Sequence, residues 1–105
     1  GSMKNKKQIK HADAFFARML KDPVIRINYA EERTKSSIAQ AVKVARLRAK
    51  LTQAALAREI GTTQSVIARL EGRGIGRIPS LALLARIAFA CHGKLELGIN
   101  FKRIA

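Results

Sequence analysis

Between Thr63 and Glu71 the chain reads Thr-Gln-Ser-Val-Ile-Ala-Arg-Leu-Glu, and its polar members are types that read nucleic-acid bases. A Gln amide pairs with adenine N6 and N7 together, and an Arg fork pairs with guanine O6 and N7. At about 100° per residue, Val66, Ile67 and Leu70 form one apolar stripe. Gln64, Ser65, Ala68 and Gly72 then point away from that stripe, with Arg69 at its edge. Ser65 and Ala68 are short, so the main chain can approach base edges closely. A face that only solubilises a helix would favour Lys and Glu; Gln, Ser and Ala suit a major groove better.

Such readers need a rigid mount, and the preceding residues supply one. Thr52 is placed to cap a helix whose inward positions are Ala55, Leu56 and Ile60, and Gly61 sits where a left-handed stop is needed. Thr63 caps the next helix, Gln64 to Glu71, and also belongs to the residues that would face DNA. Two short helices joined by so tight a turn, with Ala57 small at their crossing, describe a helix-turn-helix. Gln53 starts the first of them and would hold a phosphate with its side chain and the adjacent N–H groups. Arg73 and Arg77, about the Gly-rich loop Gly72–Gly76, are further backbone contacts. The competing reading is an αα-hairpin with a merely solvated polar face.

Composition supports the same partner. The 105 residues carry 21 Lys and Arg against 7 Asp and Glu, a net charge of +14. In a folded domain such an excess points to nucleic acid, because each neutralised phosphate releases counterions. It spreads over both halves, with thirteen basic and four acidic groups in residues 1–50 and eight and three thereafter. The length fits one domain with a short appendage, and with 5% aromatics the core must be aliphatic. A single cysteine excludes an internal disulfide and a Cys-based zinc site. No apolar run reaches the roughly 18 residues of a membrane span, and no secretory stretch follows the basic start, so a cytoplasmic protein is expected.

Residues 1–10 read as a cloning remnant and a mobile basic arm holding Lys4, Lys6, Lys7 and Lys10. Residues 11–33 read as an N-terminal helical extension. One short helix runs from about His11 to Lys21, then Asp22-Pro23 caps and opens another with Val24 and Ile27 inward. Thr34, Ser36 and Ser37 offer caps for a third helix to about Lys50, with Ile38, Val42, Ala45 and Leu47 apolar; a single helix from 23 to 50 is the alternative. The DNA-binding domain spans 34–92 and closes with a helix opened by Pro79-Ser80, with Leu81, Leu84, Ile87 and Ala88 inward. In residues 93–105, Leu95, Leu97, Ile99 and Phe101 alternate with polar residues and glycine, which predicts a short β-strand with one buried face. An isolated strand leaves its backbone groups unpaired, so pairing with a second copy, and hence a homodimer, is expected.

The segment L51-T-Q-A-A-L-A-R-E-I-G-T-T-Q-S-V-I-A-R-L-E71 resembles the lambda/434-repressor class of helix-turn-helix, the Cro or XRE-type family. Gln53, Ala57, Gly61, Ile67 and Glu71 fall at that family's spacing, and the similarity covers about residues 38–92. It implies a mainly α, five-helix domain beginning near Ser37, and a structural ion pair between Arg46 and Glu71. It also implies that Gln64, Ser65 and Arg69 read bases while Gln53 clamps a phosphate. The loop Arg73–Ile78 departs from the pattern in its extra glycines. The flanks D22-P-V-I-R-I-N-Y29 and G93-K-L-E-L-G-I-N-F101 resemble HigA-type antitoxins, which repress their own operon and neutralise a ribosome-dependent RNase toxin.

The expected function is therefore a sequence-specific repressor that binds a palindromic operator in double-stranded DNA as a homodimer. The flanks add a HigBA-type antitoxin role with a small basic toxin as partner; the alternative is a stand-alone or phage-type regulator without one. Toxin contact is assigned to Phe15, Phe16, Met19, Leu20, Val24 and Ile27, more apolar surface than two short helices can hide between themselves. Packing of those residues on the third helix is the competing use, and a membrane-surface helix a weaker one. Cys91 reads as a small core residue, and His11 and His92 have no ligand spacing. Glu31 and Glu32 fall on different helix faces and read as solvated. No nucleophile–base arrangement, paired carboxylates or phosphate loop appears, so no enzyme, cofactor or metal is expected.

Overall fold

The computed structural model describes residues 13–72 and 76–101, and five helices lie among them. They are α1 over residues 13–19, α2 Pro23–Arg48, α3 Gln53–Ile60, α4 Gln64–Glu71 and α5 Leu81–Ala90. The basic arm, Arg73 and residues 102–105 lie outside the described residues. Arg33–Ile99 form one compact unit, and the other described residues belong to a second.

Asp22 and Pro23 open α2 as expected, with the Val24 N–H donating to Asp22 Oδ1 at 2.9 Å. The break expected near residues 34–37 is not made, and the alternative of one long helix is what forms. Thr34, Ser36 and Ser37 each disfavour a helix interior by only a few tenths of a kcal/mol, less than nucleating a new helix requires. The resemblance implied five helices from Ser37 onward. Within Arg33–Ile99 the described residues carry four, counting the C-terminal half of α2, and the total of five includes α1.

The core of that unit is Val42 from α2, Leu56, Ala57 and Ile60 from α3, Ile67 and Leu70 from α4, and Ile87 from α5. Ile38, Leu51, Val66, Leu83 and Leu84 pack around it half-buried. Leu56 and Ile67 are fully enclosed, which locks α3 against α4. Leu81, expected inward, is exposed at the start of α5, and Leu47, one of the apolar positions near the end of α2, is exposed as well. Val24 and Ile27 are exposed as well, and Cys91 is half-buried, with burial pushing its thiol above the usual range.

The expected β-strand at Leu95–Phe101 does not form; residues 93–101 contain no strand. Nor is one face buried, since Leu97, Ile99 and Phe101 are 78%, 80% and 92% exposed. A strand exists only through hydrogen bonds to a neighbour, and Leu95 to Ile99 have no main-chain hydrogen-bond partner among the described residues.

Candidate nucleic-acid interface

The turn between α3 and α4 is built from local chemistry. Thr52 Oγ1 accepts the Ala55 N–H at 3.0 Å, which satisfies one of the open donors at the start of α3. Gly61 ends the helix in the left-handed region at φ 75°, and the Thr62 N–H returns to Ala57 O at 2.9 Å. A β-carbon at Gly61 would meet nothing within 4 Å, so backbone conformation and not space selects glycine there. Thr63 then caps α4 by accepting the Val66 N–H at 3.4 Å. Three residues therefore separate the two helices, and their crossing is held by Leu56, Ala57 and Ile67.

With Ile67 and Leu70 buried, α4 presents Gln64, Ser65, Ala68 and Arg69 to solvent. The helical periodicity placed Gln64, Ser65 and Ala68 away from the core and Arg69 at the edge of the apolar stripe. Arg69 makes no side-chain hydrogen bond or ion pair among the described residues, so its guanidinium fork is open. Arg77 is exposed in the segment after α4, and the Lys35 ammonium reaches Gly76 O at 3.3 Å.

Behind the exposed face runs a polar chain. Arg46 grips Glu71 side-on, Nε to Oε2 at 2.6 Å and Nη2 to Oε1 at 2.9 Å, and donates Nη1 to Leu51 O at 2.8 Å. The ion pair implied by the resemblance is thus present, with the Glu71 side chain only 4% exposed. Burial works to raise the Glu71 carboxyl, but hydrogen bonds from Arg46 and Gln53, with the Arg46 and Lys43 charges, hold it below its usual range. Glu71 in turn raises the Arg46 guanidinium through the same hydrogen bonds.

Gln53 continues the chain. Its Nε2 donates to Glu71 Oε1 at 3.4 Å, and its Oε1 accepts from Gln64 Nε2 at 3.1 Å. An ionised carboxylate only accepts, so it fixes which way the Gln53 amide points. That in turn fixes Gln64, whose second N–H and Oε1 remain as an adjacent donor and acceptor. The donor–acceptor pair on adenine's major-groove edge is its complement.

Residues 42–96, just over half of the chain, match the model of the helix-turn-helix family. The chain belongs to the XRE-type helix-turn-helix family. Neither the curated proteins nor the solved structures include a match to it. The helix-turn-helix is thus a DNA-binding transcriptional regulator, with α4 as its exposed second helix. No described helix is long and apolar enough to cross a membrane.

Sequence reasoning gave Gln53 a phosphate and did not foresee its bridge from Glu71 to Gln64. The signal was there: two amides stand at the first positions of two helices that cross. Lys43 was also passed over, although its charge acts on Glu71. It precedes Arg46 by three residues, one helical turn on the same side of α2.

Proposed function

We propose that this helix-turn-helix protein is a sequence-specific repressor that reads a palindromic operator as a homodimer. The observation that carries the reading is the oriented amide of Gln64 beside the open fork of Arg69, with Ser65 and Ala68 keeping the surface between them low. Gln64 takes an adenine, Arg69 a guanine, and Ser65 a neighbouring base edge. Gln53 and Thr63 at the helix starts, and Arg73 and Arg77 after α4, neutralise phosphates and set the register. Two copies would then read half-sites about 34 Å apart.

The same chain is proposed as the antitoxin of a HigBA-type pair, acting where the DNA and the translating ribosomes are. Its support is the apolar surface of the second unit: Val24 is 66% exposed, Phe15, Phe16 and Ile27 are exposed, and Met19 and Leu20 are half-buried. The Phe16 and Tyr29 rings pack 5.7 Å apart, which joins α1 to the first turns of α2. These residues are additional to what DNA recognition requires, and a stand-alone regulator would have no use for them.

Selection of operator sites from random DNA, followed by titration, tests the first part. Gln64→Ala and Arg69→Ala should weaken the selected site and leave random DNA nearly unchanged, while Arg77→Ala should weaken both and flatten the salt slope by about one unit. Equal losses on every sequence for Arg69→Ala would sink the assignment of α4 as reader. For the antitoxin role, Val24→Ser with Ile27→Ser should abolish binding of the RNase encoded beside this chain and spare operator binding. Retained neutralisation would overturn it.

A further inference from the structure

The two flanks of α4 differ in chemistry. On one, Gln64 and Glu71 meet Gln53 in a polar chain. On the other, Arg69 and Val66 are neighbours three residues apart and border a cleft of about 380 Å³ between α4 and the segment leading to α5. Arg69 and Arg77 stand exposed along this cleft, and Val66, Leu70, Ile78 and Pro79 give it an apolar floor.

The segment is held at both ends. The Lys35 ammonium donates to Gly76 O at 3.3 Å, and Ser80 Oγ accepts the Leu83 N–H at 3.1 Å. Ile78 and Pro79 stand between these anchors, with Ile78 45% exposed. A phosphate alone has no use for such a floor, since Val, Leu, Ile and Pro side chains donate no hydrogen bond. Two cations beside apolar walls suit a ligand that joins an anion or an acceptor edge to an apolar group.

Resting on the reading of α4 as a helix in the major groove, we propose that this cleft reads the C5 methyl group of a thymine beside the guanine taken by Arg69. That methyl is the apolar group that unmodified bases present in the major groove. Successive bases of a strand are only about 3.4 Å apart along the duplex. With the Arg69 fork on guanine O6 and N7, the neighbouring methyl comes against Val66 and Ile78, and a phosphate of the groove edge falls to Arg77. The cleft is larger than a methyl group, as it must be to admit the sugar–phosphate edge as well. This thymine is a further read position, separate from the adenine that Gln64 takes on the opposite flank. Cytosine methylated at C5 carries the same group and can replace it; plain cytosine cannot.

The test uses the full chain and its selected operator, rebuilt with uracil in place of each thymine in turn. Uracil removes the methyl and keeps every hydrogen-bonding group. At one position, beside the guanine where Arg69→Ala loses its preference, affinity should fall about fourfold, the worth of one buried methyl group. A 5-methylcytosine–guanine pair there should bind about fourfold better than plain cytosine–guanine. In Ile78→Ser and in Val66→Thr, with folding checked by thermal melts, both ratios should fall towards one. Arg77→Ala should weaken thymine and uracil sites by the same factor, because it serves a phosphate. A flat uracil scan overturns the proposal. A methyl effect undiminished in both floor variants overturns the cleft as its reader. Failure of the underlying reading looks different: Arg69→Ala would then lose equally on every sequence, whereas a kept guanine preference with a flat uracil scan strikes only the methyl contact.

Discussion

The helix-turn-helix and the C-terminal segment are about equally legible as patterns, and they fare differently. In Leu51–Gly72 the apolar positions Leu56, Ile60, Ile67 and Leu70 are all buried, and each helix has its cap. In residues 93–101 the alternation is as regular, yet Leu97, Ile99 and Phe101 remain exposed and no strand forms. Apolar periodicity states which face wants cover. It does not state whether the cover belongs to the same chain. Helix hydrogen bonds close within the segment, so α3 and α4 need only side-chain partners; a strand needs another backbone before it exists.

The sharpest way to break this contrast is to truncate one residue in each region. Leu56→Ala should lower unfolding free energy by about 2–5 kcal/mol in a urea titration, because it empties an enclosed site. Ile99→Ala should leave the stability of the monomer unchanged and act only on association. A comparable loss from Ile99→Ala in dilute, monomeric protein would mean that the segment is covered within its own chain.

Next in size is the Arg46–Glu71 pair. Glu71→Ala strands a guanidinium that is largely enclosed and should destabilise by about 2–3 kcal/mol. Because the folded carboxyl titrates below the unfolded one, its stabilisation is complete above the ordinary carboxylate range. It is lost as pH falls through that range toward the lowered folded value. Glu71→Gln should flatten that acid limb in thermal melts taken across pH, and an unchanged limb would show that another group governs it.

Smaller effects sharpen the account of the reader. Gln64→Ala should cost about 1–3 kcal/mol on the operator. Gln53→Ala should lose part of that and also relax the adenine preference, since the amide of Gln64 would be free to turn. If Gln53→Ala weakens all DNA alike, Gln53 serves only a phosphate. Last come the caps: Thr52→Ala and Thr63→Ala should each remove about 1 kcal/mol from thermal stability, with neither changing which sequence is bound.

What the amino-acid order determined by itself is whatever is enforced within a few residues. The caps at Thr52, Thr63 and Ser80, the left-handed stop at Gly61 and the opening of α2 at Asp22-Pro23 all lie within four residues of their partners. The exposed face of α4 followed from the same short-range geometry. The pairing of Arg46 with Glu71 could be inferred only through a family resemblance, because 25 residues separate them. Tertiary structure alone decided three things. It ran α2 unbroken through Thr34–Ser37, where cap-forming residues are a preference that a continuous helix overrides. It turned Gln53 from a surface amide into the link between a buried carboxylate and a base reader, since that link exists only where α3 and α4 cross. And it built no strand over residues 95–101 among the described residues, because the energy that makes a strand lies in the partner it pairs with.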